Sequence, residues 1–240
     1  MIRIAATADL HAGLDSLGKI RPRYEDLGER ADILLLAGDI TRRGTEEEGK
    51  VLAEELRGLP VPAVAVLGNH DYHSGQQDQI RRLLEDAGVH VLEGEAVTLN
   101  VRGKRLGIAG TKGFGGGFPG ASASEFGEDE MKAFVGHTRA VAERLEKALR
   151  GLDADVRVAL LHYSPVEATL SGERLEIYPF LGSYLLAEAI DRAGADLVLH
   201  GHAHRGSEKG VTPGGIHVRN VAETVIGHAY NVYTLDGRAV

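Results

Sequence analysis

The sequence contains no cysteine. That single absence excludes a disulfide scaffold, a thiolate zinc site, an iron–sulfur cluster and a cysteine nucleophile. Long apolar runs are missing as well: stretches such as residues 33–37 are far too short to span a bilayer. Asp9 interrupts the segment where a secretory signal would need its apolar core. A soluble, cytoplasmic protein with no membrane partner is therefore expected. Positive charge is not in excess, since 27 Lys and Arg stand against 35 Asp and Glu, a formal charge of −8. Nothing in that balance attracts a polyanion, so a nucleic-acid partner is not expected. No repeat, linker or break in composition divides the 240 residues. Residues 1–240 are expected to form one α/β domain of ordinary globular composition.

What is present is a series of short, non-alternating apolar runs rich in Val, Ile, Leu and Ala, at residues 2–8, 33–37, 61–67, 106–109, 156–161 and 197–199. Runs of this kind suit strands buried on both faces. Helix signals lie between them. Thr45-Glu46-Glu47-Glu48 has capping-box spacing, and Val51, Leu52, Leu56 and Leu59 follow on one face before Pro60. Ser74 to Gln77 repeats the pattern ahead of Ile80, Leu83 and Leu84, with a stop at Gly88. Residues 128–150 read as a longer helix, and Ser183 is placed to cap residues 184–192. Alternating strands and helices indicate a layered α/β fold with a largely parallel sheet. The tail, with strand patterns at 215–221 and 229–235 and no helix between, points to a second, partly antiparallel sheet. The glycine-rich stretch 111–120 reads either as a flexible connection or as a rim facing a substrate.

The 11 histidines are not scattered. Asp9 and His11 follow the first apolar run, Gly38-Asp39 the second, and Gly68-Asn69-His70-Asp71 the third. His162 follows the run at 156–161, and His200-Gly201-His202-Ala203-His204 follows the last one before the tail. Ligands of parallel α/β sheets bind outside the carboxyl ends of the strands, and here five such ends deliver Asp, Asn or His. Imidazole, carboxylate and amide oxygen together suit borderline divalent ions such as Mn, Fe, Co, Ni or Zn. Asp9 with His11, and His202 with His204, have the two-residue spacing that places side chains on one side of an extended segment. With Asp39, Asn69 and His162 they make seven donors, too many for one ion with an open position and about right for two. Asp39, with two carboxylate oxygens, is the natural bridge. Arg42 and Arg43, just beyond it, are candidates to hold a phosphate oxygen.

This set of motifs resembles the calcineurin-like metallophosphoesterase family, whose pattern is Asp-x-His, Gly-Asp, Gly-Asn-His-Asp/Glu, a lone His and Gly-His-x-His. The match runs from Asp9 to His204. The resemblance implies a four-layer α/β/β/α sandwich with two central mixed sheets flanked by helices. It also implies two divalent metal ions, with manganese favoured. One would take Asp9, His11, Asp39 and His204, the other Asp39, Asn69, His162 and His202. His70 would be the general acid that protonates the leaving alkoxide, and Asp71 would orient it. The expected activity is a phosphodiesterase acting on a small diester, a cyclic nucleotide or similar, through a hydroxide bridging the metals. A phosphomonoesterase or a nucleotide pyrophosphohydrolase would use the same residues. A metal-binding scaffold for partner proteins is the non-enzymatic alternative, and a homo-oligomer is compatible with the sequence. His200 is open between a supporting and a structural role. His73, His90, His137, His217 and His228 have no motif around them.

Overall fold

The computed structural model describes residues 1–236. Along the chain come β1 (Ile2–Thr7), β2 (Ile33–Ala37), α1 (Glu46–Leu56), β3 (Ala63–Val66), α2 (Gln77–Asp86), β4 (Val89–Leu92), β5 (Glu95–Val101) and β6 (Lys104–Thr111). They are followed by α3 (Asp129–Arg150), β7 (Val156–Leu161), α4 (Tyr184–Ala193), β8 (Leu197–His200), β9 (Lys209–Val211), β10 (His217–Asn220) and β11 (Asn231–Leu235). Single helical turns and a short hairpin, Gly117–Phe118 with Ala121–Ser122, occupy the loops.

The strands form two mixed sheets, in the orders β11-β1-β2-β3-β4 and β9-β10-β8-β7-β6-β5. In the first, β11 runs antiparallel to β1 and the other pairs are parallel. In the second, β10, β8, β7 and β6 are parallel, with antiparallel β9 and β5 at the edges.

The non-alternating runs have the physical meaning expected of them, because both faces of the central strands are covered. Ile4, Ile33, Leu35, Val64 and Val66 of the first sheet pack against Leu106, Ile108, Val158, Leu160 and Leu199 of the second. Ala5, Leu34, Leu36 and Ala65, on the opposite face, meet Leu52 and Leu56 of α1 and Ile80 and Leu84 of α2. Ala159, Leu161 and Val198 meet Val141, Leu145 and Leu149 of α3 and Leu186 and Ile190 of α4. This is the four-layer α/β/β/α sandwich.

Some local expectations change. Thr45 caps α1 by accepting the Glu48 N–H at 3.3 Å, and Ser183 caps α4 through the Leu185 N–H at 3.3 Å. Ser74 caps nothing: α2 begins after Gln76, and the Ser74 hydroxyl donates to the Arg43 carbonyl at 2.7 Å. The tail does not build a sheet of its own. β10 joins β8 in the second sheet while β11 joins β1 in the first, so Val218 completes one core and Tyr233 and Leu235 another. The stretch 111–120 is no free connection either. Its residues up to Phe118 are largely buried, and a Cβ on Gly115 would fall 2.6 Å from the Pro179 carbonyl.

At the amino ends of the strands, Asp32 fastens the two sheets together. Its carboxylate accepts the Arg3 N–H and an Arg3 guanidinium N–H, both at 2.8 Å, and pairs at 2.8 Å with Arg102 in the β5–β6 turn. Burial pushes this carboxyl up, but the Arg3 side chain and backbone and then Arg102 outweigh it and hold it at about 2. A depressed carboxyl stabilises the fold above its unfolded value near 3.9, and that contribution fades as pH falls towards 2. Asp32→Asn is therefore expected to cost about 1–2 kcal/mol at neutral pH. Wild type and variant should converge in stability between pH 4 and 2 in denaturant titrations, and a gap independent of pH would contradict this role.

Candidate metal centre

Beyond their carboxyl ends, β1 and β2 stay in register through backbone bonds from Asp9 to Gly38, His11 to Asp39 and Ala12 to Ile40, of 2.9–3.0 Å. The chain there is not extended. Asp9, His11 and Asp39 have φ of 61°, 44° and 50°, and His202 has 70°. Arg102 is the other non-glycine residue at positive φ among the described residues. A left-handed conformation costs a non-glycine residue on the order of 1 kcal/mol, and such strain collects at functional sites. The two-residue spacing therefore acts differently from a strand. Asp9 and His11 do converge, but through a left-handed turn, while His202 and His204 separate into different clusters.

Three motif glycines make close approach feasible. A Cβ on Gly38 would lie 2.6 Å from the His162 ring, one on Gly68 2.1 Å from the Asp39 carboxylate, and one on Gly201 2.6 Å from the Asp9 carboxylate. Each glycine precedes one candidate ligand and vacates the space filled by another. The Gly-Asp, Gly-Asn-His-Asp and Gly-His-x-His motifs are thus parts of one interlocked packing.

The donors gather in two adjoining clusters. Asp9, His11 and His204 each present a donor atom within 4.8 Å of the others, and so do Asp39, His162 and His202. His11, Asp39 and His70 form a third set that overlaps both. Asn69 joins the second cluster, its Oδ1 3.0 Å from His162 Nε2, which is itself 3.3 Å from Asp39 Oδ1. His204 Nε2 lies 3.0 Å from Asp9 Oδ1, and the His202 N–H donates to Asp9 Oδ2 at 3.0 Å. All seven expected ligands are brought together.

Burial pushes the Asp39 carboxyl up, yet the charge and hydrogen bond of His162 and the His70 N–H outweigh it and hold it well below the usual range. Burial likewise pushes His162 down, but Asp39 beside it raises it to about 9. Burial, and then the charge on His162, push His202 down to about 3. Convergent oxygen and imidazole donors around a buried carboxylate, with no thiolate among them, fit a borderline divalent metal.

His70 stands half exposed over this centre, its Nε2 3.9 Å from Asp39 Oδ2 and its ring 4.5 Å from that of His11. What orients it is not Asp71. His70 Nδ1 donates to the Arg42 carbonyl at 2.7 Å. The fully buried Asp71 carboxylate instead accepts from the Gly68, Ile40 and Thr41 N–H groups and the Thr41 hydroxyl. Four local donors saturate it, and it ties the loop after β3 to the loop after β2. Burial, and then the Asp39 charge, push its pKa up to about 6 against those bonds. His200 is structural: it is buried, bonded to the Thr169 hydroxyl at 2.8 Å, and held by burial at about 4.

Sequence reasoning missed Glu93, which lies between two strands it did not foresee. Its carboxylate accepts from the Tyr72 and Thr111 hydroxyls, at 3.2 and 3.0 Å. Beside it Lys112 is buried, its Nζ 5.1–5.2 Å from the ring centres of Tyr72, Phe114 and Tyr163. The Tyr163 ring in turn lies 4.4 Å from that of His202. Lys112 thus backs the wall behind the second cluster.

An α/β/β/α sandwich with adjoining oxygen and imidazole donor clusters at its strand ends marks a metallophosphoesterase. The sequence model of the family described as calcineurin-like phosphoesterase matches residues 2–206, and the chain belongs to this family. An uncharacterized metallophosphoesterase of Aquifex aeolicus is 31% identical over 211 residues, which are 85% of this chain and 64% of that protein. A probable cyclic nucleotide phosphodiesterase of Synechococcus is 32% identical over 115 residues, 44% of this chain and 42% of that protein. The chain thus spans less than two thirds of either relative. Among solved structures, the phosphopantetheinyl hydrolase of Mycobacterium tuberculosis superposes with a TM-score of 0.62 at 18% identity, covering 91% of this chain and 88% of that one. No helix among the described residues is long and apolar enough to cross a membrane.

The interlocked glycines are open to direct test. Gly68→Ala forces its Cβ against Asp39. It should lower stability by about 1–3 kcal/mol and weaken manganese binding in calorimetric titration. Gly136→Ala, in open space on α3, is the control and should leave binding unchanged. Equal manganese affinity in Gly68→Ala and wild type would contradict the packing argument.

Proposed function

We propose that the protein is a dinuclear, metal-dependent phosphodiesterase for small diesters, a cyclic nucleotide or a similar substrate, with His70 as the proton donor. The observation that carries this reading is the placement of His70 over two adjoining donor clusters, its Nδ1 tied to a backbone carbonyl. Asp9, His11, Asp39 and His204 would hold one ion, and Asp39, Asn69, His162 and His202 the other. When bound, divalent ions supply positive charge to phosphoryl oxygens and lower the pKa of coordinated water.

The chain's own residues account for the proton. A carbonyl only accepts, so His70 Nδ1 keeps its hydrogen and Nε2 is the nitrogen that gains and gives up the catalytic proton. From Nε2 it passes to the leaving oxygen as the phosphorus–oxygen bond breaks. Asp71 acts at one remove: by locking the Gly68–Asp71 turn onto Ile40 and Thr41 it fixes the height of His70 above Asp39.

The name of the Synechococcus relative, over the 115 residues it shares, agrees with a diester substrate. The complete donor set favours an enzyme over a binding scaffold.

Metal-free protein reloaded with manganese should hydrolyse bis(4-nitrophenyl) phosphate faster than 4-nitrophenyl phosphate. The reverse preference would replace this reading with a phosphomonoesterase. Inactivity on both, with two ions shown bound, would favour a scaffold or a nucleotide pyrophosphate substrate, which assays on pyrophosphate-linked nucleotides then separate. His70→Ala should keep two metal equivalents by elemental analysis while turnover falls about 10²–10⁴-fold; undiminished turnover would remove His70 from the reaction. Asp39→Asn should weaken both ions together, and the loss of only one would rule out bridging.

A further inference from the structure

Next to His70 lies a cavity of about 450 Å³ lined by Arg42, Arg43, Asn69, His70 and His73. Its lining holds no carboxylate, although the chain as a whole carries a charge of −8. The Arg43 guanidinium makes no ion pair among the described residues, and Arg42 pairs only with exposed Asp15, at 2.9 Å. The backbone beneath these cations is fully engaged. The Arg42 N–H donates to the Ala12 carbonyl at 3.0 Å, and its own carbonyl accepts from His70. The Arg43 N–H donates to Glu48 Oε2, and its carbonyl accepts from Ser74, both at 2.7 Å. Gly44, at φ 69°, seats the loop against the backbone of His70 and Asp71, where a Cβ would fall 2.4 Å from the Asp71 carbonyl.

The Arg43 guanidinium, and that of Arg42 shared with one exposed carboxylate, stand on a clamped backbone in a concave site whose lining holds no carboxylate, an arrangement suited to an oxyanion. We propose that this cavity is an anion subsite for the leaving side of the substrate. The preferred diester then carries a second negative group, a phosphomonoester, on the alcohol that departs past His70. This rests on the reading of His70 as proton donor, since that role fixes which side of the phosphorus faces the cavity.

The dinucleotide ApA and its 5′-phosphorylated form pApA test the idea, because they differ only in one terminal phosphate. In both, a water oxygen bonds to phosphorus, the bond to the 3′-oxygen of the first adenosine breaks, and that oxygen takes a proton. The products are adenosine and 5′-AMP from ApA, and two 5′-AMP from pApA. Manganese-loaded wild type should show a kcat/KM for pApA about tenfold or more above that for ApA, the scale of one charge-assisted hydrogen-bonded pair. Arg43→Ala should bring the ratio close to one, mainly through KM, and Arg43→Lys should restore part of it. Both backbone clamps of Arg43 survive the truncation, and an unchanged melting temperature verifies the fold. A wild-type ratio near one, a parallel fall on both substrates, or 3′-AMP as product would each overturn the subsite. Calorimetry with the same pair separates the two readings. If bis(4-nitrophenyl) phosphate is turned over but neither dinucleotide is, the hydrolase reading stands and the leaving-side subsite is overturned, and tighter binding of pApA that is lost in Arg43→Ala then marks only a general anion site. Equal binding of the two overturns the subsite even where turnover persists.

Discussion

The buried carboxylate of Asp39 stands where the two sheets meet, and the arrangement around it depends on how it is held. One oxygen accepts the His70 N–H at 2.8 Å and faces His162 at 3.3 Å, so a single atom joins the loop after β3 to the end of β7. Its backbone carbonyl accepts the His11 N–H, which brings in the loop after β1. Its own φ of 50° turns the side chain inward, and Gly68 leaves the space in which it sits. An isolated buried carboxylate would be costly, so positive charge must approach it from the second sheet. From the second sheet it is His162 that comes to 3.3 Å of this carboxylate, where the same pair of side chains could also share a bound cation.

The two sides of this centre differ in character. Behind His162 and His202 the wall is packed and aromatic, with Tyr163 against His202 and a caged Lys112 behind Tyr163. That cation has burial working against it and the faces of three rings in its favour. On the side of His70 the surface is open, polar and basic. The centre is thus flanked by a packed aromatic wall on one side and by exposed guanidinium groups on the other.

Much of this was legible in the sequence because the central strands are buried on both faces. Non-alternating runs such as Ile33–Ala37 announced that burial, and the Asp, Asn and His residues directly after them announced the site. β4 and β5 escaped for the opposite reason. β4 is interrupted by exposed His90, and β5 is an edge strand alternating between solvent and the core through Val97, Leu99 and Val101. The convergence of the donors was readable, whereas the backbone that achieves it was not. No side chain advertises that Asp9, His11 and His202 are left-handed. The direct partner of His70 was hidden too, since a carbonyl carries no sequence signature, and the acidic neighbour Asp71 binds the Gly68, Ile40 and Thr41 donors instead of the ring.

Both donor clusters straddle the two sheets. Asp9 and His11 follow β1 while His204 follows β8, and Asp39 follows β2 while His162 and His202 follow β7 and β8. Nearly the whole length of the chain separates Asp9 from His204, so neither cluster exists in a half-folded molecule that has formed only one sheet. A divalent ion held by either of these two clusters would favour the fully assembled state by mass action. Such an ion would act as a late clasp, slowing the separation of the halves more than it hastens their meeting, and guarding against proteases that cut transiently opened chains.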